Sequence, residues 1–468
     1  MSLFGCLSSG ASALDAQSYA LQIAGKNIAN VNNQNYARET VNIGAGPATQ
    51  TAQGCSSFNL EAQSVTQIRN AFLDQQVAQE DSIVSGLTTE QSALQQAESS
   101  LGETVSSGTS ASTSAGAGAS LSSQLTGLFN AFQSLAASPT GSGAAQTLVE
   151  NASSFCDQLN QTDSALAQIQ TGLTGPNGQI QSTVGDINKQ LTTIAGLNSQ
   201  IAVAEAGKPG SAVDLRDQRQ AAIESLAADM SFTTSTDSNG QMALTTTDAN
   251  GNTVALVDGA TVSNTVGFNG TALTAGGASL ALTSGSVQGA LNASGVIQTL
   301  RDGLDALSKQ VVTSVNAAFN PTGAIGNFFA ATGITAATIA VDPTLTSSSL
   351  VAASTADAGA AAANVAKLAN YSFSTGSGDS IDGTMTQFYA NTVSAFGQTL
   401  SDLNNQVENQ TAVQTMVTSQ RQSVSGVNLD EETTNLMMYQ KAYQASAQYL
   451  NIIDGLLSNL VQLGSSLS

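Results

Sequence analysis

The residues that could do chemistry are few. The 468-residue chain has no histidine, which excludes Ser-His-Asp and Cys-His nucleophilic catalysis and every zinc motif that uses imidazole. Its three cysteines, Cys6, Cys55 and Cys156, are odd in number and too far apart for a paired-ligand motif, so they read as small buried or partly buried residues. Gly207-Lys208 is followed by proline, where a phosphate-cradling loop needs Ser or Thr. Asp237-Ser238-Asn239-Gly240 and Asp248-Ala249-Asn250-Gly251 faintly resemble calcium loops. Neither supplies the later bidentate glutamate, and turn chemistry accounts for both. Gly376-Ser377-Gly378-Asp379 lacks a strand–helix setting and reads as linker. Glu431 and Glu432 could pair as acid–base carboxylates, but capping and the helix dipole already explain them. No catalytic, cofactor or metal residue emerges, and no enzyme is expected.

The composition points the same way. Acidic residues number 33 against 12 basic, a formal net charge of −21. Nucleic acid and anionic membrane surfaces both recruit clustered Lys and Arg, so neither is an expected partner. No run of ~18 apolar residues could span a bilayer, and the N-terminus lacks the basic and apolar regions of a secretory signal. Aromatics are 4% of the chain and tryptophan is absent. Since aromatic side chains bury the most area per residue, slender helical bundles are expected in place of one large core.

The elements that hold what chemistry there is are long helices. Over the first 30 residues Leu7, Leu14, Leu21 and Ile28 recur every seven residues, with the small residues Ala11, Ser18 and Gly25 four further on. Such a repeat keeps one seam facing a partner helix. The segment carries only two charges, Asp15 and Lys26, fewer than a helix with a solvated outer face needs. The other end mirrors it. Leu429, Leu436, Tyr443, Leu450 and Leu457 form one heptad row, and Tyr439, Ser446, Ile453 and Leu460 a second. Asn428 is the expected N-cap, Glu431 its box partner and Gly464 the stop. From Leu429 to Leu463 the helix would run roughly 50 Å.

Further helices are expected around Val77 to Leu101, Leu148 to Leu173, Ile180 to Ile201, from Ser211 with Asp214 as box partner, Ala293 to Val315, and Phe388 to Val424. Between Ser231 and Gly285 the pattern shifts to short alternating runs. Met242–Thr247 and Thr253–Val257 read as paired strands, and Asn269-Gly270 as a hairpin turn. Only short elements are expected from about residue 320 to 382. The expected fold is mainly α: long coiled-coil-like terminal helices and a helical bundle shaft, with a small inserted β-rich domain. Residues 1–58 with 425–468 would form the terminal assembly helices, 59–228 with 289–424 the shaft, and 229–288 the β-rich insert.

Two stretches narrow the class. Asn27-Ile28-Ala29-Asn30-Val31-Asn32-Asn33-Gln34-Asn35-Tyr36-Ala37-Arg38 resembles the signature of bacterial flagellar axial proteins, which build rod, hook and junction. Asn35 stands where that family usually has glycine, and clustered asparagines tolerate left-handed backbone. Ser423-Val424-Ser425-Gly426-Val427-Asn428-Leu429-Asp430-Glu431-Glu432 is similar to the family's hook-associated branch. Tyr439-Gln440-Lys441-Ala442-Tyr443-Gln444-Ala445 and Asp214-Leu215-Arg216-Asp217-Gln218-Arg219 also resemble family segments. The resemblance implies a structural protein of the hook–filament junction, exported through the flagellar channel without a cleaved signal and located outside the cell. Implied partners are other copies in a ring, the hook protein, a second junction protein on the filament side, and an export chaperone for the C-terminal helix. A hook or distal rod component, or a secreted adhesin or effector using the same route, is the alternative. The motif residues carried over are Asn27, Asn30, Asn32, Tyr36, Arg38, Gly426, Asn428, Asp430, Glu431 and Glu432.

Overall fold

The computed structural model describes all residues except 1–2, 47–48, 52–53, 57–58, 103–119, 209, 238–239, 322–325, 353–354 and 467–468. The Asp237–Gly240 turn thus lies partly outside the described residues, as does the side chain of Cys55.

Long helices dominate. The first, α1, is Leu3–Ala29, and α2 is Ala71–Leu101. Between them a hairpin pairs β1 (Glu39–Ala45) antiparallel with β4 (Leu60–Gln67), and a shorter one pairs β2 (Thr49–Thr51) with β3 (Gly54–Ser56). The long hairpin spans residue 58, the expected edge of the terminal region. The shaft continues with α3 (Leu121–Ala137), α4 (Ser142–Thr174), α5 (Gln179–Ala204) and α6 (Val213–Asp229). It resumes with α7 (Ser286–Phe319), the short α8 (Ser347–Ala352), α9 (Thr355–Lys367) and α10 (Met385–Ser425). The last helix, α11, is Leu429–Ser466 and runs through Gly464 without stopping.

The insert divides into two sheets. β5 (Thr233–Thr236), β6 (Met242–Thr247), β7 (Thr253–Asp258) and β8 (Thr261–Val262) lie in sequence order, all antiparallel. β9 (Val266–Phe268), β10 (Leu273–Ala275) and β11 (Ala278–Ser279) make a second meander. Asn269 closes its turn by accepting from the backbone N–H groups of Thr271 and Ala272.

One apolar core runs through shaft and insert. Phe132, Phe319, Phe328 and Phe329 are buried together, with successive ring centroids 4.7–6.5 Å apart in tilted and edge-to-face geometry, the arrangement the ring quadrupole prefers. A chain poor in aromatics therefore spends four of its 14 phenylalanines at one spot. Leu94, Leu125, Phe155, Leu191, Leu226, Val257 and Val311 are fully enclosed in the same core.

Two local expectations change. Helix α6 begins one residue later than expected and takes no cap from Ser211 or Asp214; the Glu205 carboxylate reaches across to accept from the Ala212 N–H. Helix α10 begins at Met385, three residues before the expected Phe388, behind a full capping box of Thr384 with Gln387.

Candidate assembly site

Helices α1 and α11 lie antiparallel, with Gly10 against Leu450 and Tyr449 and, towards the other end, Arg38 paired with Glu431. A Cβ on Gly10 would stand 2.7 Å from Leu450 Cδ2, so the absent side chain is what lets these helices approach. The expected seam residues Leu7, Leu14, Leu21 and Ile28 are half-buried, as are Leu436, Leu450 and Leu457, while Leu429 and Tyr443 are exposed. The deepest positions are smaller: Ala16, Ala20 and Ala24 on α1, with Ile23 packed against Val65 and Val213. Among the described residues of α11, Ile453 is the one large apolar residue that is buried. Beside the half-buried row, Met438, Tyr449, Ile452, Leu456 and Leu460 are 43–64% exposed. Their spacing of three or four residues, after the first, places them on one face. Pairing with α1 therefore covers only part of the apolar surface of α11.

The asparagine-rich turn works through side-chain hydrogen bonds. Asn27 is 1% exposed; its amide donates to the Glu39 carbonyl, and its Oδ1 accepts from the Tyr36 hydroxyl at 2.7 Å and from Glu39 N–H at 3.0 Å. One side chain thus stands in for a backbone partner and fastens the end of α1 to β1. Asn30 donates to the Lys26 carbonyl and accepts from Asn33, whose Oδ1 in turn takes the Asn35 N–H. Asn32 is exposed. Burial, followed by the neighbouring carboxylates Glu39, Asp217, Asp214 and Glu432, pushes the Tyr36 phenol up from its ordinary value, so it stays a hydrogen-bond donor.

At the start of α11, Asn428 Oδ1 accepts from Asp430 and Glu431 N–H, as an N-cap does. Glu431 does not fold back to close a box. It pairs with Arg38 at 2.5 Å, whose backbone N–H donates to the Ser425 carbonyl. Asp430 receives the Thr433 and Thr434 hydroxyls at its carbonyl, and Glu432 is 3% exposed. Gly426 closes α10; a Cβ there would press into the Gln422 carbonyl oxygen.

Behind this turn lies a charged joint that the motif reading missed. Lys26 bridges Glu39 at 2.7 Å and Asp214 at 2.5 Å. Arg69 pairs with Asp217 and Asp74 and donates to the Asn35 carbonyl. Arg421, 4% exposed, pairs with Glu224 and donates to the Gln34 carbonyl. Arg69, Asp74 and Arg421, with Asn30–Ala37 and Ser425–Val427, surround a polar cavity of about 300 Å³. Burial works against the Lys26 charge, but hydrogen bonds to Asp214 and Glu39 outweigh it and raise its value. At Glu39, Asp217 and Glu224 burial outweighs the paired cations, so each carboxyl is raised. The signal was present: the chain owns 12 basic residues, and three of them meet here.

Buried Cys156 is pushed up to about 12, mainly by burial, so it packs as an inert thiol. No group of three or more potential metal ligands occurs, and no helix is long and apolar enough to cross a membrane, among the described residues.

A helical shaft with a small β-rich insert is joined through a polar turn to an antiparallel pair of terminal helices. The family model described as "Flagellar hook-associated protein FlgK helical domain" matches residues 108–329, and "Flagellar basal body rod FlgEFG protein C-terminal" matches 418–463. The chain is 25% identical to Flagellar hook-associated protein 1 of Bacillus subtilis (strain 168), across 98% of each chain. It is 29% identical to Flagellar hook-associated protein 1 of Salmonella typhimurium (strain LT2), over 53% of this chain and 42% of that one. A solved structure, the flagellar hook junction protein FlgK from Burkholderia pseudomallei, aligns with a TM-score of 0.44 at 23% identity, covering 55% of this chain and 46% of that one. By these matches the chain is similar to flagellar hook-associated proteins of the FlgK type, through its helical middle and over its whole length.

Proposed function

We propose that this protein joins the flagellar hook to the filament, as a ring of copies whose terminal helices pack side by side within the tube. The observation that carries this reading is the uncovered apolar face of α11, Ile452, Leu456 and Leu460, beside a seam that α1 only half covers. In water such a face is a standing cost of about 25 cal/mol per Å²; among neighbouring copies it becomes the source of affinity, less the entropy of ordering. The seam residues Leu7, Leu14, Leu21, Ile28, Leu436, Leu450 and Leu457 support the same packing from its edge. The shaft, residues 59–228 with 289–424, is the rigid body between neighbours, and the insert, 229–288, points away from the tube. The hook protein binds one side of the ring and a second junction protein the other. A chaperone covers the α11 face before export, which proceeds without a cleaved signal. The protein performs no catalysis in this role.

Electron microscopy of a deletion strain tests the reading. Hooks that lack filaments, with flagellin shed into the medium, are expected. Normal filaments on the deletion strain would remove the junction role.

A further inference from the structure

A second surface, distant in kind from the apolar terminal face, carries its own inference. Helices α2 and α6 and strand β5 wall a cleft of about 830 Å³. Three arginines line it. Arg69 and Arg216 have acidic partners: Asp74 and Asp217 for the first, Glu205 for the second. Arg219 has none. It is 5% exposed, and its Nη1 donates to Asn198 Oδ1 and the Gly240 carbonyl, both neutral. No carboxylate lies within ion-pairing distance of it among the described residues. Burial, with the like charges of Arg216 and Arg69, lowers its value to about 10. The Glu205 carboxylate opposes this but is paired to Arg216, so Arg219 is a buried cation with no carboxylate of its own, a costly feature for a fold to carry.

The opposite wall is an open sheet edge. β5 is the outer strand of its sheet and pairs with β6 alone. Asp237 N–H donates to the Gln241 carbonyl, and the antiparallel alternation from that pair turns the N–H and C=O of Thr234 and Thr236 away from β6. Both residues line the cleft. An open edge is a template for another extended chain.

We propose that the cleft binds an extended, acidic segment of a different protein, which adds a strand to β5 and places a carboxylate on Arg219. The segment's backbone would satisfy Thr234 and Thr236, the recognition mode of strand addition, and its carboxylate would complete the guanidinium as a charge-assisted hydrogen bond. A second copy paired through its own β5 edge does not supply that carboxylate, because Thr233–Thr236 contains no acidic residue.

The test uses the full chain and a fluorescent hexapeptide of alternating Thr and Val with one central Asp, read by anisotropy, beside its Asn counterpart. The expected result is saturable binding of the Asp peptide, at least tenfold weaker for the Asn peptide. Thr234→Pro removes only an outward N–H and keeps the strand; it should abolish binding with the unfolding temperature unchanged. Arg219→Met should erase the Asp-over-Asn preference. Absence of binding at millimolar peptide, equal affinity for the two peptides, or full binding by T234P would each overturn the proposal.

Discussion

The shaft and the terminal pair are both built from long helices, yet they end in opposite states. In the shaft the four-phenylalanine cluster and its leucine neighbours are enclosed on every side. In the terminal pair two thin helices meet, and a helix cannot bury a wide apolar arc against one partner alone. Alanines take the deep positions, leucines the flanks, and Ile452, Leu456 and Leu460 remain in water. One region encloses its apolar side chains within a single chain, and the other leaves part of its apolar surface uncovered. The charged joint of Lys26, Arg69 and Arg421 sits where the two meet.

That contrast can be broken at its strongest point first. Phe132→Ala or Phe328→Ala should cost about 3–5 kcal/mol, seen as a lowered denaturation midpoint of the shaft. A cost under 1 kcal/mol would mean the shaft is no better packed than the terminal pair. Arg421→Met strands Glu224 without its cation, and removing one partner of a buried pair costs about 3–5 kcal/mol. Its expected signature is faster amide exchange in residues 27–39 and 425–432, with the phenylalanine cluster still protected.

Glu205→Gln should cost about 2 kcal/mol at neutral pH, the value of a charge-assisted hydrogen bond. Hydrogen bonds from Arg216 hold the Glu205 carboxyl down at about 2. Its folded value lies below the unfolded one, so its contribution is present above the ordinary carboxylate range and lost as pH falls towards 2. Glu39, Asp217 and Glu224 are raised and act with the opposite sign: their contribution is present in acid and lost as pH rises through their folded values. A thermal-melt series against pH should show the E205Q protein losing less stability than wild type below about pH 4. Parallel curves would refute the Arg216 assignment. The smallest effect is expected from Ile452→Asp with Leu456→Asp, within about 0.5 kcal/mol of wild type for the isolated chain, as for exposed positions generally.

Much of this was legible in the residues. The seven-residue rows at both ends mark α1 and α11, and the Thr-rich runs around Asn250-Gly251 and Asn269-Gly270 mark the insert. Helix α3 went unread although Leu121, Leu125, Leu128, Phe129, Phe132 and Leu135 carry a plain helical period, because it follows a Ser/Gly/Ala-rich stretch that reads as linker. The β1–β4 hairpin was missed for a different reason: its alternation is weak, with Asn42, Ser64 and Gln63 among the strand residues. The seam was only half legible. A heptad row states which residues share a face, but the β1–β4 hairpin beside Ile23 competes for that face and shifts the deepest contact to the alanines. The charged joint depends on pairs such as Arg421 and Glu224, 197 residues apart, and no local pattern encodes a pairing at that separation.

The most direct test of the unfinished terminal face is electron microscopy of flagella in a strain whose sole copy carries I452D and L456D. The exported protein should be folded, by protease resistance of its shaft, and the hooks should bear no filament. Filaments of normal number and length on those hooks would contradict it.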